Sequence, residues 1–380
     1  MILKKLINII LILCICFSTS VFASTSITRL TLNDAIKMGL DTDKQYKIDI
    51  NNVPILQKAY EDSKSDANEI PLRAYEYEYF YSAPPNYDAF LIQANNKYLL
   101  PLQNQLAVEE AKQNVEVSKE TAIIGVYDAF FAYAKADEDY LINKEEVVLK
   151  TGELETAQLK FNQGLISKDD LKSAEYEKDS AEAALDISGQ SKKKALIDLN
   201  TKLGKDLDNQ IKKAIVKYSY KRIDIDLNKA IESTLKNRLD VIKAANLVTA
   251  KEKERKIVSD YIKDDTLSQY KTADLNLKEA QYDLETKKID IENEIKSGYN
   301  NLLNMLDTID INKKEVSRKK ITYNALKLKY NLNMVTKLDM DSAKLDYDKA
   351  KSTLNGSILD YIAAKYKFDM AQGAGPVLAE

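Results

Sequence analysis

Histidine and tryptophan are absent from the 380-residue sequence, and its two cysteines, Cys14 and Cys16, lie near the start. Without histidine the chain has no Ser-His-Asp or Cys-His catalytic arrangement and no imidazole ligand for a metal. Both cysteines fall inside an expected export signal, so we expect a mature chain without thiol chemistry or disulfides. The sequence therefore predicts no catalytic residue, no metal site and no cofactor.

Glycine and proline are scarce, with 10 and 6 residues, and no proline lies between Pro101 and Pro376. So few turn-forming residues favour long helices over sheets with many turns. Charged residues make up 30% of the chain, but the formal net charge is only -3. Because no face is predicted to be strongly basic, we do not expect nucleic acid as a partner.

The first 23 residues have the pattern of a removable export signal. Lys4 and Lys5 precede an apolar run, and Ala23 ends a small-residue site of the kind that signal peptidase accepts. No later segment has the ~20 uninterrupted apolar residues that a membrane-spanning helix needs. We expect an exported protein of the cell envelope, in the outer membrane if the cell has one and otherwise surface-bound or secreted.

The rest of the chain is an internal duplication. Residues 160–174 align without gaps to residues 329–343, an offset of 169, and residues 32–40 align to residues 227–235, an offset of 195. The alignment predicts a first repeat over residues 24–204, a second over residues 205–373 and a tail over residues 374–380. The second repeat is the shorter one, and most of its missing residues precede Tyr299.

An aromatic segment over residues 74–92 is present in the first repeat alone. Its tyrosines alternate with other residues at a period of two, a proline-containing turn follows, and residues 87–92 come next. This pattern predicts a short β-hairpin. An irregular aromatic loop packed on helix ends is the alternative that the sequence leaves open.

Each copy of the duplicated motif has the residues that end one helix and begin another. Gly164 and Asn333 are the residue types that most readily adopt the left-handed conformation at a helix C-terminus. Ser167 and Thr336 follow as N-caps, and a carboxylate lies three residues beyond each of them. The motif therefore predicts two antiparallel helical hairpins, so the fold class is mainly all-α, with long coiled-coil hairpins in tandem.

Both returning helices carry a heptad seam in which large and small residues alternate, which is typical of a left-handed coiled coil. In the second repeat the seam runs from Met340 to Ala371, and in the first it runs from Leu171 to Lys202. The first repeat places lysine at three large positions. Those lysines suggest that one edge of this repeat meets solvent, a polar lumen or another protein.

These features together resemble the TolC-like outer-membrane efflux protein family, whose members contain two tandem repeats. Each repeat of that family opens with a Leu-x-x-Ala-Ile-type helix and contains an aromatic-Asn-x-Gly-Leu-x-Ser-x-x-Asp-x-x-x-Ala hairpin tip. In the first repeat the matching residues are Leu32, Ala35, Ile36, Phe161, Asn162, Gly164, Leu165, Ser167, Asp170 and Ala174. In the second repeat they are Leu227, Ala230, Ile231, Tyr330, Asn331, Asn333, Thr336, Asp339 and Ala343.

The resemblance implies a homotrimer whose long helices form a hollow cylinder, an efflux or secretion conduit that works with a periplasmic adaptor and an inner-membrane pump. It implies that the adaptor docks on the hairpin tips, here at Gly164, Leu165, Ser167, Asn333, Met334 and Thr336. It also implies aperture carboxylates at Asp170 and Asp339, for which helix capping is the other role. Ser342 stands where the family has a second aspartate.

Family members insert two strands per repeat into the membrane, whereas this sequence offers two candidate strands, both in the first repeat. The resemblance therefore implies a divergent member in which the membrane-inserted strands are reduced or absent. An envelope scaffold or spacer that does not conduct is the alternative function. An enzyme would need a carboxylate pair or a Ser-Lys dyad in a cleft, and because no local motif marks either, we expect a non-enzyme.

Overall fold

The computed structural model of the protein describes residues 29–71, 87–211, 213–373 and 375. The predicted export signal lies outside these residues, as does most of the predicted C-terminal tail 374–380. Within the described residues the chain is mainly helical, which confirms the predicted fold class. The two halves present their elements in a similar order.

The first half contains β1 (Leu30–Thr31), α1 (Leu32–Thr42), α2 (Lys44–Glu69), α3 (Tyr87–Ala94), a π-helical turn (Asn95–Leu99), α4 (Leu100–Asn162) and α5 (Lys168–Lys202). The second half contains β2 (Ala214–Ile215), α6 (Leu227–Asn237), α7 (Leu239–Tyr261), α8 (Ser268–Asn331) and α9 (Lys337–Ala371). The two short strands pair in parallel, with Leu30 opposite Ala214 and Thr31 opposite Ile215. This pairing joins the starts of the two halves.

Four long helices lie side by side in the order α5, α4, α9, α8. Helices α4 and α5 form one hairpin, α8 and α9 form the other, and α4 lies against α9. Helix α4 has 63 residues and is therefore about 95 Å long at ~1.5 Å per residue. In the described part of the chain no extended contact joins α5 to α8, so the four helices form an open wall with two free edges.

The predicted heptad seams lie where the returning helices meet their partners. In α9, Ala343, Tyr361, Phe368 and Ala371 are buried, and the other seam positions are at least partly buried. In α5 the seam lysine Lys192 is not an edge residue. It pairs with Asp137 at 2.7 Å within the same hairpin, so a neighbouring carboxylate neutralises the charge inside the seam.

Each half has its own hydrophobic core around the base of its hairpin. Phe130, Tyr133 and Leu199 lie in the first core, and Ile295, Tyr361 and Phe368 lie in the second. The two cores are joined by the strap, residues 205–226, whose described residues bond side chains of all four long helices. The Tyr133 hydroxyl donates to the strap carbonyl of Ile211 at 2.6 Å, and Tyr361 donates to that of Lys221 at 2.9 Å.

The prediction of a β-hairpin over residues 74–92 is wrong for its second strand. Residues 87–94 form helix α3, and residues 74–86 lie outside the described residues. The helix forms because Phe90 and Ala94 lie on one helical face and pack on α7, with the Phe90 ring 4.4 Å from the Tyr261 ring and Ala94 fully buried. The second repeat has no comparable segment, since only residues 262–267 connect α7 to α8.

Among the described residues, none of the helices combines the length and the apolar content required for crossing a bilayer.

Candidate functional site at the hairpin tips

The two hairpin tips, residues 163–167 and 332–336, have the same backbone geometry. Gly164 has φ +67° and Asn333 has φ +55°, both in the left-handed region predicted from the sequence. The amide of Leu165 donates to the Lys160 carbonyl at 2.9 Å, and the amide of Met334 donates to the carbonyl of Lys329 at 2.8 Å. Both tips are therefore Schellman motifs, which satisfy the carbonyls at the end of the descending helix.

Each tip is followed by a capping box, in which the N-cap and the third helical residue bond each other reciprocally. The Ser167 hydroxyl accepts from the Asp170 amide at 3.1 Å, and the Asp170 carboxylate accepts from the Ser167 amide at 2.9 Å. Thr336 and Asp339 form the same pair of bonds at 3.1 Å and 2.9 Å. The two aperture candidates thus have a capping role in the folded chain.

The capping hydrogen bonds lower the pKa of both aspartates. The Ser167 hydroxyl and amide hold the pKa of Asp170 below its usual value, because hydrogen bonds stabilise the ionised form. Thr336 lowers the pKa of Asp339 in the same way, and Lys160 adds a smaller effect. Both groups are therefore anionic near neutral pH, at the ends of α5 and α9 that lie next to the tips.

The tips expose apolar side chains. Leu165 is 69% exposed and Met334 is 68% exposed, and these residues occupy equivalent positions in two hydrogen-bonded turns. A methyl group added at Gly164 would meet no atom within 4 Å. The predicted docking residues of each repeat therefore lie together on the surface of their own tip. Leu165 is the apolar centre of the first tip, and Met334 is the apolar centre of the second.

The two tips belong to neighbouring hairpins and do not end at the same level. Leu338, near the start of α9, lies against α4 at Gly152, where an added Cβ would be 2.9 Å from the leucine side chain. The seam between α4 and α9 is ionic: Lys349 pairs with Glu146 at 2.7 Å and Lys344 with Glu145 at 3.0 Å. This seam is a feature that periodicity did not reveal, because its partners are about 200 residues apart in sequence.

Helix α8 carries an exposed apolar stripe that the sequence analysis also missed. At about 100° per residue, all of the large apolar residues exposed on this helix fall in one arc of about 100°. They are Leu275, Tyr282, Ile289, Leu303, Ile311, Ile321 and Leu328, with exposures from 39% to 71%. The arc faces away from α9. A roughly seven-residue spacing on the side opposite the buried seam was the available sequence signal.

The opposite edge of the wall is the free face of α5. Tyr176 and Ile187 lie on this face and are 74% and 65% exposed, and Ile187 also borders α4, because it lines the groove between α4 and α5. Small residues, among them Ser180 and Ala183, lie between them on the same face. Both edges of the four-helix wall therefore present apolar side chains without a partner in the described part of the chain.

The described residues contain no group of three metal-ligating side chains. A groove of about 630 Å³ runs between α4 and α5, lined by Lys135, Asp139 and Ser188 among others. The groove is open, and its lysine is bound to Asp360 at 2.9 Å. Alanine and isoleucine side chains, among them Ala132, Ala136 and Ile142, line the rest of the groove, so it is an open surface of mixed polar and apolar character.

The whole architecture is similar to that of solved membrane proteins, several of them from the outer membrane. A membrane protein from Pseudomonas aeruginosa superimposes with a TM-score of 0.67 at 11% identity, over 92% of this chain and 92% of that chain. The outer membrane protein VceC from Vibrio cholerae superimposes with a TM-score of 0.61 at 14% identity, over 90% of this chain and 96% of that chain. The Campylobacter jejuni outer membrane channel CmeC superimposes with a TM-score of 0.63 at 13% identity, over 92% of this chain and 87% of that chain.

No protein-family model matches the sequence, and no curated protein matches it. Identities of this size establish a shared fold. The fold that the sequence resemblance implied is therefore confirmed, including two long helical hairpins in one chain.

Proposed function

We propose that the protein is an exported efflux or secretion conduit component, whose copies assemble into an α-helical tunnel that works with a periplasmic adaptor and an inner-membrane pump. The observation that carries this proposal is the open wall of four helices with apolar residues on both edges. An edge of exposed leucine, isoleucine and tyrosine is covered in solution by another surface. The most economical cover is the opposite edge of a second copy.

Edge-to-edge contact of this kind is heterologous, because α8 of one copy meets α5 of the next. A heterologous contact must either close into a ring or continue as a filament. The heptad seams predict a left-handed supercoil for both hairpins, and in this proposal the supercoil curves the wall so that the ring closes. A closed ring of such walls encloses a lumen lined by long helices, and the similar fold of the outer membrane channel CmeC supports a channel. The number of copies that we propose, three, is the number that the family resemblance implies.

The tips supply the docking surface for the adaptor in this proposal. Gly164, Leu165 and Ser167 form one contact and Asn333, Met334 and Thr336 form the other, each rigidified by a Schellman motif and a capping box. Rigid exposed apolar anchors bind at low entropic cost. We further propose that threefold copies of Asp170 and Asp339 give the tip aperture an anionic rim, in addition to their capping role.

Residues 24–204 and 205–373 act as the two repeats of the wall in this assignment, and the mature protein belongs to the cell envelope. The structure of the second repeat differs at the base of the hairpin, where α7 runs to α8 through residues 262–267.

The test is fractionation of native cells combined with chemical crosslinking and electron microscopy of the purified particle. The expected result is a membrane-associated trimer with a continuous central lumen. Deletion of the gene should raise the cellular content of the exported solute. A ring without solute accumulation on deletion would favour the scaffold or spacer, and a stable monomer recovered from the culture fluid would refute the conduit.

A further inference from the structure

Each hairpin tip has a second exposed apolar residue, on the helix that leads into it. Leu159 near the end of α4 is 63% exposed, and Leu328 near the end of α8 is 61% exposed. The two leucines are equivalent, because each begins a Leu-Lys-aromatic-Asn segment and they lie at the same offset of 169 as the rest of the tip. Both repeats therefore expose a leucine one helical turn before the tip.

The backbone of each tip brings this leucine close to the apolar residue of the turn. The carbonyl of Leu159 accepts from the Gln163 amide at 3.2 Å, as the Leu328 carbonyl does from the Leu332 amide at 3.2 Å. In a Schellman motif a hydrophobic contact frequently joins these two positions of the helix end and the turn. Because both members stay largely exposed, each tip presents an apolar pair, Leu159 with Leu165 and Leu328 with Met334.

Lysines border the apolar pair of each tip at equivalent positions. Lys160 and Lys329 directly follow the two leucines, and Lys168 and Lys337 are the first residues of α5 and α9. All four lysines are exposed. Among the described residues none of the four forms an ion pair, so their charges are available to a partner.

The carboxylates of the tips are engaged differently. Asp170 accepts from the amide and the hydroxyl of Ser167 at 2.9 Å and 2.7 Å, and Asp339 accepts from Thr336 at the same two distances. These aspartates are thus directed back into their own turns. The remaining acid of the first tip is the exposed Asp169, whose place Leu338 takes in the second tip.

The first residue of α5 and of α9 is a position where helix stability disfavours a cation. The free amides at a helix N-terminus carry a partial positive charge, which favours acids and disfavours lysine in the first turn. Lys160 and Lys329, in the last turns of their helices, are favourable for the same reason. The stability of the chain therefore does not explain Lys168 and Lys337, although both repeats have them.

We infer that each tip binds an apolar pocket bordered by carboxylates on the adaptor. The apolar pair fills the pocket, and Lys168 or Lys337 faces the carboxylates. This inference rests on the proposed docking of an adaptor at the tips, and it adds the chemistry of the partner and two contact residues, Leu159 and Leu328. Buried apolar anchors supply affinity, whereas the lysines orient the partner and reject a basic one.

Two synthetic helical peptides test the chemistry on the purified protein. They share leucines at heptad spacing and differ only in the flanking residues, which are glutamate in one peptide and lysine in the other. Fluorescence anisotropy should show the glutamate peptide binding about tenfold more tightly, with a preference that shrinks as salt is added. Equal binding of the two peptides, or tighter binding of the lysine peptide, would overturn the inference.

Charge reversal locates the preference. Lys168→Glu with Lys337→Glu should abolish or invert the preference for the glutamate peptide. The matched control is Lys193→Glu with Lys320→Glu, which makes the same change of net charge at two exposed lysines far from the tips and should leave the preference unchanged. Equal effects of the two double variants would overturn the assignment to the tips.

Stability separates this role from a structural one. Lys168→Glu with Lys337→Glu should leave the urea midpoint unchanged or raise it, because an acid at the start of a helix is favourable, while binding of the glutamate peptide falls. A parallel fall in stability and binding would mean that the lysines support the fold, and it would overturn the inference.

The contribution of the leucines has its own control. Leu159→Ser with Leu328→Ser should weaken binding of the glutamate peptide roughly tenfold, whereas Leu141→Ser with Leu275→Ser removes two exposed leucines away from the tips and should not. The reverse result would overturn the role of the apolar pairs.

Failure of this inference and failure of the proposed conduit are distinguishable, because each tip lies within one chain and binds peptides in a monomer or a ring. A monomer that prefers the glutamate peptide would overturn the proposed assembly and support the docking chemistry. A ring without that preference would do the opposite.

Discussion

The left-handed residue at the first tip allows a quantitative test of how the hairpin is built. Gly164 has φ +67°, and an alanine at this position would keep the turn only by adopting a conformation that costs an L-residue about 1–2 kcal/mol. Because no atom lies within 4 Å of the added methyl group, steric overlap contributes nothing. We expect Gly164→Ala to destabilise the protein by about 1–2 kcal/mol.

Gly189 is a matched control with the opposite expected sign. It lies inside helix α5, and an alanine Cβ there would be 3.6 Å from the Tyr140 ring, an ordinary contact. Replacing a glycine in a helix interior by alanine stabilises by about 1 kcal/mol. The same chemical change should therefore lower stability at the tip and raise it in the helix.

Two measurements separate local from global effects. Urea unfolding with an unchanged slope reports the free energy of unfolding, and hydrogen exchange of the Leu165 amide reports opening of the tip. Gly164→Ala should speed exchange at Leu165 by roughly 5- to 30-fold. If Gly164→Ala were neutral by both measurements while Gly189→Ala was stabilising, the turn would not depend on the left-handed conformation.

Three further predictions concern the caps and the strap. Ser167→Ala and Thr336→Ala should each cost about 1 kcal/mol, measured by urea unfolding, and a neutral result for both would show that the capping boxes are dispensable. The pKa values of Asp170 and Asp339 are lowered in the folded chain. The stability that this provides is present above the ordinary aspartate pKa and is lost as pH falls through the lowered values. Thermal melts from neutral to acidic pH should show this loss of stability, and the loss should be smaller in the Ser167→Ala, Thr336→Ala double variant. Burial raises the pKa of Tyr133 from 10.0 to about 12, so its contribution is complete below pH 10 and is lost as pH rises through about 12. Tyr133→Phe should reduce the loss of stability at alkaline pH. It should also cost about 1–3 kcal/mol at neutral pH, because a buried strap carbonyl loses its hydrogen-bond donor. Unfolding measured as a function of alkaline pH tests both effects, and an alkaline profile unchanged by the substitution would show that Tyr133 is not the titrating group.

Local signals predicted the hairpin tips correctly. A Schellman motif and a capping box depend on residues within about six positions of each other, so Gly164, Asn333, Ser167 and Thr336 could be assigned from the sequence. The duplication made these assignments stronger, because the same chemistry occurs at an offset of 169. The heptad seams were predictable for the same reason, since their period is a local property of each helix.

The segment before α4 shows where local signals fail. Residues 87–92 were predicted as a second strand because they follow a proline-containing turn after the alternating tyrosines. In the fold, Phe90 and Ala94 instead pack together on α7, in which the partner Tyr261 is far away in sequence. Likewise Lys192 was assigned to an edge, although Asp137 on the facing helix neutralises it at 2.7 Å. The local propensity of a segment contains no information about a packing partner that is distant in sequence and comes close only in the fold.

The sequence by itself determined where each helix stops and restarts, because those events depend on backbone conformations and hydrogen bonds between near neighbours. Only the tertiary structure decided that α4 lies beside α9, since the ion pair of Glu146 with Lys349 joins helices from different repeats. It also decided which faces of α5 and α8 stay open. Whether an apolar residue is covered depends on what packs against it, which is a property of the whole arrangement of helices.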